Sequence, residues 1–453
     1  MKKHNSIFSA MEKEGLTTLE IFQNRKEDRF ILRGMREWDD DIRWDRYMTD
    51  FAYVEILTDS HKGVGTATLL TAFDELGLKD YLKQIEQLMR EGKHHGIKFY
   101  YNRKKNIRAM HCKHITALGI RNRRHAIWGG AMRRHELDEP EIDVITDGLN
   151  IARAMTYKNA IANIPYGGSK ILVQCEPVKL DDFETMGFLA YVSDTSRSFT
   201  GPDMNFEVEM AYIIRDKFTV NYTDGLKTSM GTSGAVTAYG EYIAIKEACD
   251  FVYGSRDISN KKIAVQGLGE VGFPLAEHLL GEGAKLIITD INLSKVHRLQ
   301  QKWGVELVEY VEPDAIYTVD ADIFSPCAMG GIITEDRIRQ FNFKIIMGSA
   351  NNQLKATSKE AEIELAKKLA DAGILFVVDW AHNVGGVLKA WAEWVFQEKA
   401  TLDKIKPRVQ QICGTNLRQF LEEAERIGKT PTALIYEKIE DLICSGTEFS
   451  EEL

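Results

Sequence analysis

KKIAVQGLGEVGFPLAEHLLGEGAKLIITDIN (261–292) is the stretch that decides the fold class. The apolar run KIAVQ leads into a glycine-rich turn, and a helical segment follows. A second apolar run, LIITD, then ends at Asp290. This order predicts a strand, a tight turn, a helix and a second strand parallel to the first.

The turn GLGEVG fits the pattern GxGxxG, which is weak alone and strong between a strand and a helix. Glycines let the backbone approach a pyrophosphate, and the helix N-terminus supplies partial positive charge. Asp290 would bind a ribose diol and repel a 2′-phosphate, so we expect NAD rather than NADP. The alternative is a glycine-rich turn that binds no ligand. The expected cofactor-binding residues of this unit are Gly267, Gly269, Glu270, Val271, Gly272 and Asp290.

Further strands follow this unit. ADIFSPCA, FKIIMGSANNQ and ILFVVDWAHN are short apolar runs that end in polar or glycine-rich loops, and TSGAVTAYGEYIAIKEACDFV (232–252) precedes the unit as a helix. Strands that alternate with helices predict an α/β fold with a parallel sheet. Ligands bind such sheets at the carboxyl ends of the strands, where these loops lie.

Two lysines flank a second glycine turn, NIPYGGSKILVQ (163–174). The segment before it, 137–160, predicts a helix with acids in its first turn and Lys158 at its C-terminal end. Lys170 follows the turn and precedes the buried strand ILVQ. Either both lysines are ordinary surface residues, or they face one pocket and bind an anionic group.

Composition narrows the class of protein. The 453 residues suggest two domains, and 44% hydrophobic with 28% charged residues is ordinary for a globular protein. A net charge of −9 argues against a nucleic-acid binder, although the segment 121–135 is strongly basic. That segment is either a solvated loop or an entrance for an anionic ligand.

Cysteine usage and hydropathy bear on location. The six cysteines lack CxxC spacing, which favours free thiols in a reducing compartment over disulfides or zinc. The N-terminus has no apolar signal core, and no run reaches membrane-spanning length. We therefore expect a cytoplasmic protein with no membrane partner and no metal, although His111 and His114 form an HxxH pair.

The first part of the chain predicts one helix at 74–93 and two similar hairpins, at 19–32 and 97–112.

These motifs together resemble the glutamate/leucine/phenylalanine/valine dehydrogenase family, and within it the leucine dehydrogenases most closely. The matching text runs in the family's order from about residue 97 to near the C-terminus. It comprises GG (129–130), MTYKNA (155–160), PYGGSK (165–170), GPDM (201–204), VTAYG (236–240), GLGEVG with TDIN, SPCAMG (325–330), GSANNQL (348–354) and NVGGV (383–387).

The resemblance implies two α/β domains, an N-terminal substrate domain and a Rossmann-type nucleotide-binding domain, with the cleft between them. We expect an N-terminal extension of unknown role at 1–95 and a substrate (catalytic) domain at 96–225. An NAD-binding domain would follow at 226–380, with C-terminal helices at 381–453 that return to the substrate domain. We assign the extension hypothetically to subunit contacts in a homo-oligomer.

The resemblance also implies roles for single residues. Lys170 would be the catalytic lysine, Asp203 would shuttle protons, and Lys158 would bind the substrate α-carboxylate. Thr237 and Asn351 would contact the nicotinamide end of the cofactor. The remaining substrate-binding residues would be Gly129, Gly130, Trp128, Gly201, Asn383, Val387 and Ala390.

The implied reaction is the reversible oxidative deamination of an L-amino acid to a 2-oxo acid and ammonia. A lysine near a second cation has its charged form disfavoured, so Lys170 can act as a base near neutral pH. Trp128 stands where the glutamate enzymes have a lysine, so we expect an apolar or aromatic amino acid. The alternatives are an acidic or unusual amino acid, favoured by Trp128 and the basic segment, and a catalytically silent homologue that senses NAD or an amino acid.

Overall fold

A computed structural model describes residues 6–24, 27–56, 62–115, 128–224, 230–356 and 358–444. The described residues form two compact units. Unit 1 contains residues 6–224 and 393–398, and unit 2 contains residues 230–392 and 399–444.

Unit 1 is built on a mixed sheet. Within its described ranges the elements are α1 (Ile7–Glu14), β1 (Thr18–Asn24), β2 (Arg29–Arg36), β3 (Lys62–Val64), α2 (Thr66–Glu75), α3 (Lys79–Glu91), β4 (Gly96–Asn102), β5 (Ile107–Lys113), β6 (Trp128–Gly129), β7 (Met132–His135), α4 (Glu141–Ile161), β8 (Gly167–Gln174), α5 (Phe183–Ser196), β9 (Ser198–Phe199) and α6 (Val208–Lys217).

The strands of unit 1 lie in the order β3-β2-β1-β4-β5-β8-β6-β9, and β7 also pairs with β8. β8 is antiparallel to β5, with Cys112 opposite Lys170, and parallel to β6 and β7. Every residue of β8 is buried, because helices cover both faces of the sheet at this point. β8 is therefore the strand that holds Lys170 inside the unit.

Residues from the first 95 positions belong to the same sheet and core. β1 lies between β2 and β4, and Leu19 and Ile21 of β1 are fully buried. Their core cluster also contains Phe99 and Met110 of β4 and β5. The segment thus completes the sheet of unit 1 on the side away from β8.

Unit 2 is a parallel α/β domain. The remaining described elements are α7 (Ser233–Tyr253), β10 (Lys262–Gln266), α8 (Gly272–Gly281), β11 (Lys285–Thr289), α9 (Leu293–Trp303), β12 (Val308–Tyr310), β13 (Ile323–Pro326), α10 (Glu335–Ile338), β14 (Ile345–Ile346), α11 (Lys359–Asp371), β15 (Leu375–Phe376), α12 (Gly385–Phe396), α13 (Leu402–Gln410), the π-helical turn Gln411–Asn416, α14 (Leu417–Ile427) and α15 (Pro431–Cys444).

The strands of unit 2 lie in the order β12-β11-β10-β13-β14-β15, and all neighbours in the sheet are parallel. The predicted strand–turn–helix–strand unit is confirmed as β10, α8 and β11. The strand order reverses between β10 and β13. In doubly wound sheets, ligands bind at the carboxyl ends of the strands beside such a reversal. The α/β fold class with a parallel sheet is therefore confirmed.

Other predicted elements are also confirmed. The hairpin at 97–112 is β4 paired with β5, and the described part of the hairpin at 19–32 is β1 paired with β2. The helix expected over 74–93 is divided into the end of α2 and α3, because Gly77 has a left-handed φ of 69°. No helix among the described residues is long and apolar enough to cross a membrane.

Candidate active site

Lys170 of β8 forms a buried ion pair with Asp203. The lysine side chain is only 4% exposed, and its ammonium donates a hydrogen bond to Oδ2 of Asp203. Asp203 follows β9, and its backbone N–H donates to the carbonyl of Met132 at 2.9 Å. The Asp203 carboxylate is thereby fixed beside a lysine that water barely reaches.

Arg133 of β7 binds the same carboxylate. Its Nε donates to Oδ2 of Asp203 at 3.0 Å, and its Nη1 donates to Oδ2 of Asp147 at 2.9 Å. Arg133 is in register with Leu172 of β8, so its side chain lies on the face that carries Lys170. Two cations therefore share the Asp203 carboxylate within the unit.

These contacts set the protonation of the pair. Burial lowers the pKa of Lys170, the nearby Arg133 charge lowers it further, and Asp203 opposes both. Burial raises the pKa of Asp203, but the charges of Lys170 and Arg133 outweigh it and hold that pKa below its ordinary value. The arrangement offers a lysine that can lose its proton beside a carboxylate that stays ionised.

Lys158 and the three glycines of the expected substrate site also lie in unit 1. Lys158 is buried near the C-terminal end of α4. The Gly130 N–H donates to the carbonyl of Phe199 at 3.2 Å, and a Cβ at Gly130 would overlap a backbone carbonyl of β8. Gly129 packs its backbone against the Phe199 ring, and a Cβ at Gly201 would meet Thr223. Close backbone packing is the local reason for glycine at these positions.

Trp128 lies on the opposite face of the sheet from Lys170. It is in register with Gly167 of β8, and successive residues of a strand point to opposite faces. Its ring meets His111 edge to face at 5.8 Å between centroids, and the Lys113 ammonium lies 5.3 Å from the ring centroid. The structure does not bring Trp128 and Lys170 together, so a substrate contact for Trp128 stays a prediction.

The glycine-rich loop of unit 2 has the form expected for a dinucleotide site. Gly267 has a φ of 91°, which only glycine adopts freely, and a Cβ at Gly272 would overlap the Gly267 carbonyl. A Cβ at Gly269 would meet no atom within 4 Å, so the loop is open in front of that residue. These features fit a pyrophosphate that approaches the backbone at the start of α8.

Asp290 follows β11 and is tied to this loop. Its Oδ2 accepts a hydrogen bond from the Leu268 N–H at 2.5 Å, and its Oδ1 accepts from the Asn292 N–H at 2.7 Å. The loop residues Glu270 and Val271 lie between the open glycine and α8, and the Glu270 backbone packs closely on Gly234 of α7. The Asp290 carboxylate is thus held beside the glycine-rich loop.

A second group of expected site residues lies together in unit 2. Nδ2 of Asn383 donates to Oδ1 of Asn351 at 3.1 Å and to the Ser349 carbonyl at 3.2 Å. A Cβ at Gly386 would lie 3.3 Å from the Thr237 hydroxyl, so the start of α12 packs on α7. Val387 and Ala390 lie further along α12, three residues apart and on one face of the helix.

His94 and His114 are buried in unit 1. His114 Nδ1 lies 2.8 Å from the Thr156 hydroxyl, and His94 Nε2 lies 2.8 Å from the Leu149 carbonyl. Among the described residues no group of three or more histidine, cysteine or acidic side chains could hold a metal ion. Residues 121–127 of the basic segment lie outside the described residues.

Comparison with known proteins identifies the family. The model for the Glu/Leu/Phe/Val dehydrogenase dimerisation domain matches residues 102–219, and the glutamate/leucine/phenylalanine/valine dehydrogenase model matches residues 230–438. The chain belongs to the Glu/Leu/Phe/Val dehydrogenase family. It is therefore an amino acid dehydrogenase, and the family implies a nicotinamide cofactor.

Individual members of the Glu/Leu/Phe/Val dehydrogenase family resemble most of the chain. Leucine dehydrogenase of Bacillus subtilis is 36% identical over 361 residues, which cover 78% of this chain and 93% of the relative. Phenylalanine dehydrogenase of Lysinibacillus sphaericus is 34% identical over 79% of this chain and 89% of its own length. The crystal structure of L-tryptophan dehydrogenase from Nostoc punctiforme matches with a TM-score of 0.62 and 29% identity, covering 80% of this chain and 99% of that one.

The sequence did not predict that Arg133 and Asp147 lie beside the Lys170–Asp203 pair. Arg133 is one basic residue in a basic segment, and Asp147 lies within a helix whose apolar stripe was the stronger signal. The alternation of β7 would have placed Arg133 and His135 on one face. It could not have shown which acids meet them there.

Proposed function

We propose that the chain catalyses the NAD-dependent oxidative deamination of an apolar or aromatic L-amino acid to a 2-oxo acid and ammonia, and the reverse reductive amination. The observation that carries this proposal is the buried Lys170–Asp203 pair, in which burial and Arg133 favour the neutral lysine. A base of this kind is what the addition of water to an iminium requires.

The chemistry would then be divided among Lys158, Lys170 and Asp203 of unit 1. Lys158 binds the substrate α-carboxylate. A bound nicotinamide would supply the acceptor for the hydride that leaves the α-carbon. Neutral Lys170 takes a proton from the water that adds to the resulting iminium, and its ammonium form polarises the developing carbonyl. Asp203 then takes this proton from the Lys170 ammonium and passes it to the departing amine, which leaves Asp203 ionised and Lys170 neutral again.

The proposal includes NAD as the preferred cofactor. Asp290 directly follows β11. Its two carboxylate oxygens accept hydrogen bonds from the backbone N–H of Leu268, in the glycine-rich loop, and from the backbone N–H of Asn292. An acidic side chain there would accept hydrogen bonds from a ribose diol and repel a 2′-phosphate. Thr237 and Asn351 would lie at the nicotinamide end, and Asn383, which donates to Asn351, would help to bind the amino acid.

An apolar or aromatic substrate is supported by the relatives named for leucine and phenylalanine and by the pairing of the basic residues. Arg133 is held by Asp203 and Asp147, and Arg134 is held by Glu136 and the Cys175 carbonyl. Both arginines of the described part of the basic segment are thus paired within the chain. This disfavours the alternative of an acidic substrate.

We also propose the division of labour expected from the sequence, with substrate chemistry at 96–225 and cofactor binding at 226–380. A homo-oligomer is supported by the dimerisation-domain match at 102–219. A cytoplasmic location stays a prediction from the scattered cysteines, five of which are free thiols in the described ranges.

Absorbance of the reduced nicotinamide tests the proposal. The purified chain is supplied with NAD or NADP and with leucine, valine, phenylalanine, tryptophan or glutamate at alkaline pH. We expect turnover with at least one apolar or aromatic amino acid, and a higher kcat/KM with NAD than with NADP. The absence of turnover with every amino acid would contradict the enzymatic proposal, and glutamate as the best substrate would contradict its specificity.

A further inference from the structure

A chain of alternating charges extends away from Lys170 through unit 1. The Lys170 ammonium binds Asp203, Asp203 binds Arg133, and Arg133 binds Asp147. Nε2 of His135 then lies 3.4 Å from Oδ2 of Asp147. The Arg133 side chain is only 13% exposed, and its guanidinium bridges two carboxylates from different elements.

The bridge ties together the elements that carry the reaction. Asp203 follows β9, Arg133 lies on β7, and Asp147 lies on α4, the helix that carries Lys158 in its last turn. Without Arg133, the Asp203 carboxylate would keep the Lys170 ammonium and the Met204 backbone N–H as partners but lose its link to α4. A planar guanidinium with two donors at fixed angles is suited to holding two carboxylates in place.

We propose that Arg133, anchored by Asp147, is a positioning residue that fixes the Asp203 carboxylate beside Lys170 and sets the balance of charge around the pair. Arg133 acts through Asp203 and Lys170 rather than on the substrate. The inference uses the proposed deamination only for its kinetic test.

The groups that face Lys170 determine whether a substitution raises or lowers the pKa of this lysine. They are Asp203 after β9, Arg133 on β7, Asp147 on α4 and the Cys112 thiol opposite Lys170 on β5. His135 lies beyond Asp147, and Lys158 lies at the end of α4. Arg133 favours the neutral lysine, whereas Asp147 favours the charged lysine. Removal of Arg133 and removal of Asp147 should therefore shift the titration of Lys170 in opposite directions.

Four variants test this inference. Arg133→Gln removes the cation, Asp147→Asn removes the anion and keeps an acceptor for Arg133, and Arg133→Lys restores the charge. Arg134→Gln is the matched control, because Arg134 lies on the other face of β7 and binds Glu136 and a backbone carbonyl. Circular dichroism verifies that each variant is folded.

The first readout is the pH dependence of kcat/KM for deamination, which rises as Lys170 loses its proton. We expect the rising limb to move to higher pH by about one unit in Arg133→Gln and to lower pH in Asp147→Asn. In Arg133→Lys the rising limb should return part of the way to its position in the parent chain, and in Arg134→Gln it should not move. Shifts of the same sign in the first two variants, or no shift in either, would overturn the inference.

The second readout does not depend on turnover. Carbon-13 NMR of the chain labelled at the lysine ε-carbon, with a Lys170→Arg spectrum for assignment, titrates Lys170 directly. Opposite shifts of its pKa in the two variants support the inference even if the amino acid panel shows no activity. An unchanged Lys170 titration in Arg133→Gln would overturn it even in an active enzyme.

Discussion

Lys113 and Lys170 are buried lysines on the neighbouring strands β5 and β8, and they point to opposite faces of one sheet. Lys113 pairs with Glu20 at 2.5 Å and lies against the Trp128 ring. Lys170 pairs with a carboxylate that it shares with Arg133. Burial lowers the pKa of both lysines, so the partners, rather than burial, distinguish the lysine expected to do chemistry.

Trp128 is a buried side chain whose removal should destabilise unit 1. Because its ring is 6% exposed and packs on His111 and Lys113, we expect Trp128→Ala to lower the free energy of unfolding by about 3–5 kcal/mol. Urea unfolding measures this loss. Trp128→Phe should recover part of it, because a ring remains between the two partners. If Trp128→Ala instead kept full stability and changed only the amino acid preference, the substrate-facing interpretation would be favoured.

Among the elements of unit 1, α4 connects the first helices to the face of the sheet that carries Lys170. Glu141, at the start of α4, is buried and accepts hydrogen bonds from the Ser6 hydroxyl at 2.5 Å, the Ile7 N–H at 2.8 Å and the Tyr81 hydroxyl at 2.9 Å. These donors come from the start of α1 and from α3. One carboxylate therefore ties three helices together.

We expect Glu141→Ala to lower the free energy of unfolding by about 1–3 kcal/mol, because it leaves buried donors without their acceptor. Hydrogen exchange of the amides in α1 should increase in the same variant. The exposed neighbour Asp138 supplies the control, and Asp138→Ala should change stability by less than about 0.5 kcal/mol. Unchanged exchange in α1 would show that Glu141 is not the anchor.

A second buried pair lies beside the Asn383 group of unit 2. His382 Nδ1 is 3.0 Å from Oε2 of Glu241, both side chains are 0% exposed, and the Cys413 thiol donates to the His382 carbonyl at 3.1 Å. Burial lowers the pKa of His382, but the Glu241 charge outweighs it and raises that pKa above its ordinary value. His382 directly precedes Asn383, so the pair also fixes the start of the loop that carries Asn383.

Removing one member of this pair should be more harmful than removing both. We expect Glu241→Leu or His382→Leu to lower the free energy of unfolding by about 3–5 kcal/mol, and the double variant to lower it by less than either single variant. The pKa of His382 is higher in the folded chain than in the unfolded chain. The stabilisation that protonated His382 contributes is therefore complete at pH values below the unfolded pKa, and it is lost as the pH rises through the folded pKa. Urea unfolding across neutral and alkaline pH measures both effects, and strict additivity of the two single losses would contradict the coupling.

Local sequence patterns were sufficient for the elements whose periodicity is strong. The glycine turn between two apolar runs predicted β10, α8 and β11, and the acids followed by an apolar stripe predicted α4. The contacts of Arg133 with Asp147, and of Glu241 with His382, join elements whose mutual placement depends on the tertiary fold. The resemblance supplied Lys170 and Asp203 but not the arginine that bridges them to α4.

At the scale of the whole molecule, the first 95 residues are the part whose role the sequence left open. A subunit-contact role stays a prediction. Deletion of the segment would not test that role, because β1 pairs with both β2 and β4 and its side chains share a core with β5. The segment supports the sheet that carries Lys170.

We therefore expect a variant that lacks residues 1–95 to lose cooperative unfolding. The exposed edge of β4 and the opened core should cause aggregation, which size-exclusion chromatography and thermal denaturation followed by circular dichroism would detect. The full chain supplies the reference. A truncated protein with the same cooperative transition and the same turnover would show that the segment is independent of the sheet.

The central claim is that Lys170 supplies the base of a deamination reaction. Its most direct test compares Lys170→Ala with Lys105→Ala, a partly exposed lysine that pairs with Asp182, on the best amino acid of the panel. We predict that kcat falls about 10²–10⁴-fold in Lys170→Ala, that NADH binding measured by fluorescence is unchanged, and that Lys105→Ala behaves as the parent chain. Turnover by Lys170→Ala within a few-fold of the parent chain would contradict the account.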